Sequence, residues 1–290
     1  MRFILSDSIS SDFNGYETLI DLFNRTHKLR FEDIILDFSK TKWFEANLTA
    51  VLGGILNKAQ EGFNNIELEG LSNDINNLLS RNLFLSNFGG SRIPDFYDTT
   101  IEYHKFKIVE EKLFKEYLDK ELISKKVMPK MSDLLKKKVN ESLIEIFNNA
   151  VIHGNCKKIF TCGQYYPAKN RLDFTIVNLG KTIKENVNEY LNKTLSGDEA
   201  IKWAVLEGNT TKRGPIPGGL GLSLIREFIS KNEGKIQIVS ADGYWEQIKD
   251  TGKSECFSQA FFGTIVNLEF NTADTSSYCL ASEIDEEDIF

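Results

Sequence analysis

Three side chains fall at four-residue spacing in the stretch Glu141-Ser-Leu-Ile-Glu145-Ile-Phe-Asn148-Asn149-Ala150-Val-Ile-His153-Gly154. They are Glu145, Asn149 and His153, and on a helix positions i, i+4 and i+8 share one stripe. The stretch is otherwise apolar on most sides, so the helix end is expected to be buried. A carboxylate and an amide inside a core are costly unless they are hydrogen-bonded or meet an ion. The helix alone leaves two readings even: a polar network bonded to nearby backbone, or the edge of a ligand site. A second group is Gly218-Gly219-Leu220-Gly221-Leu222, which opens a predicted helix. Glycines there let backbone N–H groups approach an anion, and a helix N-terminus adds donors and a favourable dipole for phosphate. Thr210-Thr211-Lys212-Arg213-Gly214 just upstream is a polar, cationic loop. A glycine-rich loop alone is weak evidence, because glycines also serve tight turns.

These groups need elements to hold them. Ser132 is placed to cap a helix from Asp133 to about His153, with Pro129 outside its start and Gly154 at the left-handed position that ends it. Strands are expected at 158–165 and 172–179, then a loop and helix over 184–207 and a Gly/Pro-rich loop over 208–219. A helix over 220–232 and strands at 235–240 and 263–270 close this half. Upstream, Ile34-Ile35-Leu36-Asp37-Phe38 reads as a buried strand and 47–59 as an amphipathic helix, with Leu48, Val51, Leu52, Ile55 and Leu56 at helical spacing. Strands at 65–68 and 100–108, and helices at 71–79 and 110–124, complete the order. Strand–helix alternation indicates an α/β layer.

The chain has 290 residues, enough for two ordinary domains. It reads as residues 1–108, a connecting helix and linker over 109–131, a second domain over 132–272 and an acidic tail over 273–290. The tail carries Asp274, Glu283, Asp285, Glu286, Glu287 and Asp288 without a Lys or Arg, and it supplies most of the formal charge of -7. The remainder is near neutral, so no overall basic field attracts nucleic acid. The tail reads as a mobile end, with docking on a basic partner as the sharper alternative. No apolar run is long enough for a membrane span. The opening residues meet an acid at Asp7, which does not suit a leader peptide, so a cytoplasmic protein is expected. Cys156, Cys162, Cys256 and Cys279 form no Cys-x-x-Cys pair and read as reduced thiols rather than zinc ligands.

In order and spacing, about 132–270 resembles the GHKL superfamily of ATPases and kinases. The wording from Glu145 to Gly154 is especially similar to the N box of anti-sigma-factor serine kinases. The resemblance implies a Bergerat-type sandwich, a mixed sheet with helices on one face, and ATP and Mg²⁺ as cofactors. It implies that Asn149 coordinates the metal and that Glu145 is the general base, a role worth about 10²–10⁴ in rate. The strand 172–183 looks like the adenine box, where the family places Asp, Gly and Gly and this chain has Asn178, Gly180 and Thr182. An Asn carbonyl still accepts a bond from the adenine amine but without the charge that strengthens it. Gly218, Gly219, Leu220, Gly221 and Leu222 fall at the phosphate-binding lid box, with Thr211 and Lys212 in the loop before it. Gly263-Thr264 looks like the last box, where the Thr hydroxyl assists adenine recognition.

The stretch 34–70 more loosely resembles a STAS-type regulatory domain, giving a STAS-like α/β domain before the ATP-binding one. In STAS antagonists a loop carries a phosphorylatable Ser before a Gly. Here Ala46, Asn47 and Leu48 stand in place of Ser-Ser-Gly, so the first block is expected to dock or regulate rather than accept phosphate. A generic α/β domain is the plainer alternative. A histidine autokinase is not expected, since His104 sits in an alternating strand and His27 lacks a following acid. Three functions remain open: an ATPase or serine/threonine kinase, a nucleotide-gated interaction module with little turnover, and a scaffold that binds no nucleotide. A protein partner, and a homodimer as in similar kinases, fit the first two.

Overall fold

The computed structural model describes residues 1–206, 208–211 and 220–284. In chain order its strands are β1 (Arg2–Ile4), β2 (Ser8–Ile9), β3 (Asp33–Asp37), β4 (Trp43–Phe44), β5 (Asn65–Glu69), β6 (Thr100–Lys107), β7 (Lys130–Met131), β8 (Lys158–Tyr166), β9 (Arg171–Asn178), β10 (Lys235–Ile248), β11 (Thr251–Asn271) and β12 (Ser277–Tyr278). Its α-helices are α1 (Phe13–Thr26), α2 (Thr49–Gln60), α3 (Asn73–Arg81), α4 (Glu111–Leu118), α5 (Asp133–Gly154), α6 (Ile183–Leu191), α7 (Gly197–Val205) and α8 (Leu220–Lys231). The class is mixed α and β. Most expected elements form within a residue or two of their expected bounds.

The N-terminal sheet is parallel, in the order β1-β3-β5, with α1 and α2 as its crossover helices. Asp12 caps α1 by accepting from Gly15 N at 2.8 Å. Helix α2 is buried almost throughout, including Gly53 and Gly54. The reason is a close approach to the larger sheet: a Cβ on Gly53 would lie 2.4 Å from the Tyr103 hydroxyl, and one on Gly54 would lie 3.5 Å from Phe160.

The larger sheet runs β10-β11-β9-β8-β6 and every pairing is antiparallel, which corrects the expectation of a mixed sheet. Strand β6, expected within the first block, pairs with β8 instead. It covers an edge that would otherwise be open, and its Ile101 and Phe106 join the core beneath α4 and α5. The sheet therefore draws on both sides of the boundary expected at residue 108.

Both faces of this sheet are covered. On one, Leu143, Ile146 and Phe147 of α5 and Ile225, Phe228 and Ile229 of α8 pack on Leu172, Phe174, Ile176, Ile238, Val266 and Leu268. On the other, Phe160, Val177, Val239, Phe261 and Ile265 join the buried residues of α1 and α2. An arrangement with helices on one face only is thus not what the chain adopts. The N-terminal block lies on the second face.

Three local differences have physical causes. The strand expected to stop at Ser240 continues to Ile248, because Ala241-Asp242-Gly243, which looks like a turn, is a register shift within the β10–β11 hairpin. The left-handed residue ending α5 is Asn155, at φ 44°, one place after Gly154. The tail is not loose over its first part: β12 pairs with β7, and Ser132 N donates to Tyr278 O at 2.8 Å. The Tyr278 ring meets Phe228 edge-on at 5.3 Å, and its hydroxyl donates to Lys231 O at 3.0 Å. Asp285, Glu286, Glu287 and Asp288 lie outside the described residues.

Candidate functional site

Helix α5 starts at Ser132, whose Oγ accepts from Leu135 N at 3.1 Å. Its C-terminal half crosses the β9–β11–β10 part of the sheet, and a cavity of about 160 Å³ remains between them. The helix contributes Ile146, Asn149, Ala150 and His153, at the i, i+3, i+4, i+7 spacing of one face. The strands contribute alternate residues: Ile176 and Asn178 of β9, Thr264 and Val266 of β11, Ile238 of β10. Asn186 and Val187 of α6, Trp203 and Ala204 of α7, Asn209, Thr210, Thr211 and Leu222 close the remaining walls. An apolar chamber with a few converging polar groups is the usual form of a small-molecule site.

The polar end of the cavity is wired tightly. Asn178, Thr264 and Ser240 sit side by side on β9, β11 and β10. Ser240 Oγ lies 2.8 Å from Gly263 O, which only accepts, so the serine proton points there. Ser240 Oγ also accepts from Ile183 N at 2.9 Å. The 2.9 Å contact between Ser240 Oγ and Thr264 Oγ1 is therefore a bond donated by Thr264. That leaves Thr264 Oγ1 with lone pairs and no free proton. Asn178 is only 6% exposed, and its Nδ2 has no hydrogen-bond partner. Such an orphan donor is uncommon inside a folded chain.

The expected site residues divide into groups. Asn149, Asn178, Thr211, Leu222 and Thr264 line the cavity together. Glu145 does not; it lines the adjoining groove between α5 and α8, with Ser223, Leu224 and Arg226. The stripe expected to be enclosed is half-buried at Glu145, Asn149 and His153, and it opens into two concavities.

Gly180 is outside the cavity. Its backbone crosses the end of α5 so closely that a Cβ would lie 1.8 Å from Gly154 O. Lys181 N donates to the same carbonyl at 2.6 Å, pinning the end of β9 to α5. Thr182 is also outside it. Its hydroxyl caps α6, accepting from Glu185 N at 3.2 Å in a capping box. Leu220 and Gly221 open α8, whereas Lys212, Gly218 and Gly219 lie outside the described residues.

Two groups of residues were missed. Within the cavity these are Asn186 of α6, Trp203 of α7 and Asn209 of the loop after α7, which stand beside His153 of the α5 stripe. The second group is a polar seam buried between the sheet and the N-terminal block. Asn47 is fully buried, and its Nδ2 reaches Ser11 Oγ at 2.8 Å, Asn267 Oδ1 at 3.0 Å and Thr175 Oγ1 at 3.1 Å. Gln237 Nε2 donates to Ser11 O and to the Tyr244 hydroxyl, both at 2.9 Å. Arg171 bonds Glu45 and lies 3.3 Å from Asp173 and 3.2 Å from Glu269. The acids share one guanidinium unequally. Burial pushes the Asp173 carboxyl well above its ordinary range, and Arg171 only partly offsets this. Burial pushes Glu45 up as well, but Arg171, the Ser11 N–H and Lys169 outweigh it, and the net shift is down. The alternating polar positions 171, 173, 175 and 235, 237 were the signal for this seam. Alternation of that kind reads first as a face open to water.

A scan of family models finds no match to the chain, and neither does a comparison with curated proteins.

Proposed function

We propose that the cavity and the helix edge beside it bind a nucleoside triphosphate with magnesium, in the manner of the GHKL ATPases and kinases that the sequence resembles. The observation that carries this is convergence. Asn149, Asn178, Thr211 and Thr264 come from four separate segments, each singled out on sequence grounds, and they line one chamber. The apolar walls Ile176, Ile238 and Val266 suit the faces of a purine, and the polar end suits its edge. Asn149, on the open side of α5, is the residue to share Mg²⁺ with phosphate oxygens and water. The proposed activity is ATP hydrolysis or phosphoryl transfer to Ser or Thr of a protein partner, with Glu145 as the general base.

One observation favours the alternative of a nucleotide-gated module with little turnover. Glu145 lines the groove next to the cavity and not the cavity itself. Phosphate release from Mg-ATP by wild type and Glu145→Ala separates the two. A loss of about 10²–10⁴ in the mutant supports catalysis by this carboxylate. Equal rates in both proteins argue for the gated module. The N-terminal block would then act as the docking or regulatory element, since Asn47, at the position of the missing phosphoacceptor, is sealed into the seam.

A further inference from the structure

Building on the nucleotide reading, we infer that the base subsite takes a 6-oxopurine, guanine or hypoxanthine, at least as well as adenine. The reasoning starts with Asn178. It is nine-tenths buried, it lines the cavity, and its Nδ2 has no partner. That nitrogen lies over Gly154, 2.7 Å from where a Cβ on the glycine would sit, and finds no acceptor there. A 180° turn of the amide exchanges its nitrogen and oxygen and leaves the occupied space unchanged.

The two purine types call for opposite turns. Adenine presents an amine at C6, which must be met by the Asn178 oxygen. That choice keeps Nδ2 against Gly154, buried and unpaired. A carbonyl at C6 is met by Nδ2 instead: the orphan donor gains its bond, and the amide oxygen takes the place over Gly154, where an unpaired carbonyl is tolerated better than an unpaired N–H. A carboxylate at this position would only accept and would repel the carbonyl, whereas the amide removes that barrier.

Thr264 adds a second, independent preference. It sits directly opposite Asn178 on the neighbouring strand. Its proton is committed to Ser240 Oγ, because the serine proton goes to Gly263 O and Ile183 N already donates to the serine. Thr264 therefore offers the cavity an acceptor. A 6-oxopurine carries N1–H beside its carbonyl, while adenine N1 carries a lone pair. A donor from Asn178 and an acceptor from Thr264, side by side, match O6 and N1–H.

Calorimetric titration of Mg-ITP and Mg-ATP into the wild-type chain and Asn178→Asp tests this. Inosine differs from adenosine only at this edge. The wild type is expected to bind ITP as tightly as ATP or more so, and Asn178→Asp to shift the ratio about tenfold toward ATP. Thr264→Val, which keeps the shape and removes the acceptor, is expected to weaken ITP more than ATP. ATP binding in the wild type with ITP more than about threefold weaker, or a ratio unmoved by Asn178→Asp, would overturn the base assignment and leave the nucleotide reading standing. Binding of neither nucleotide would remove both.

Discussion

Asn47→Ala probes how firmly the N-terminal block is held to the sheet. The side chain is fully buried and its amide sits among Ser11 Oγ, Thr175 Oγ1 and Asn267 Oδ1 at 2.8–3.1 Å. Two N–H groups serve three acceptors, and the acceptors are not left equally when the amide is removed. Thr175 Oγ1 still donates to Asn267 Oδ1 at 2.7 Å, so that oxygen keeps a partner. Ser11 Oγ loses this donor at a buried position. Leaving a buried polar atom unsatisfied costs about 1–3 kcal/mol. The void left by the truncation adds to this, for a total of about 2–4 kcal/mol. In a chain of this size 1 kcal/mol moves the thermal midpoint by about 2–4 °C, so a fall of roughly 4–16 °C is expected. Differential scanning calorimetry should show one transition for wild type and mutant, because α1, α2 and the large sheet share one core. A midpoint within about 1 °C of wild type would refute the reasoning about the seam. Two separated transitions would refute the claim that the block and the sheet unfold together.

Asp173→Asn should stabilise the chain at neutral pH and not in acid. An acid whose folded pKa lies above its unfolded value contributes most at low pH, and that contribution is lost as pH rises from the unfolded value through the folded one. Asp173 is shifted in this direction by burial, from an ordinary value of 3.8. Thermal midpoints of mutant and wild type should therefore converge near about pH 4 and separate in the mutant's favour near about pH 8, and a constant gap would contradict this. Gly180→Ala should lower stability by about 1–3 kcal/mol in urea unfolding, since its Cβ would fall 1.8 Å from Gly154 O. An unchanged midpoint would mean that the two chain segments part easily. Incubation with Mg-ATP followed by intact-mass analysis should show no phosphate on the N-terminal block. A stoichiometric phosphorylated species mapping there would sink its role as a docking element.

Helix α5, strands β8 and β9 and the C-terminal part of β11 were legible because each carries a strong period or a cap, such as Ser132 before Asp133, whereas the start of β11 at Thr251 was not foreseen. Asn149, Asn178 and Thr264 were legible because type and order together pointed to them. Thr182 was misassigned because a hydroxyl three residues before Glu185 is equally a capping box, and that is the role it has. Glu145 shares a helix stripe with Asn149, but α8 packs alongside α5 and divides the space, so the pair opens onto different concavities. The covered second face was least legible. Asp173, Thr175, Gln237 and Asn267 have the look of solvent-facing positions. What hides them is a matching set of polar residues, Ser11, Glu45 and Asn47, from more than 120 residues earlier in the chain. No local pattern encodes such a pairing.

The central claim is a magnesium-dependent nucleotide site at Asn149. Titrating ATP into the wild type and Asn149→Ala by calorimetry, with and without Mg²⁺, tests it most directly. The account predicts wild-type binding that strengthens with Mg²⁺, and a mutant whose binding is lost or indifferent to the metal. No binding by the wild type, or binding equally metal-dependent in the mutant, would contradict it.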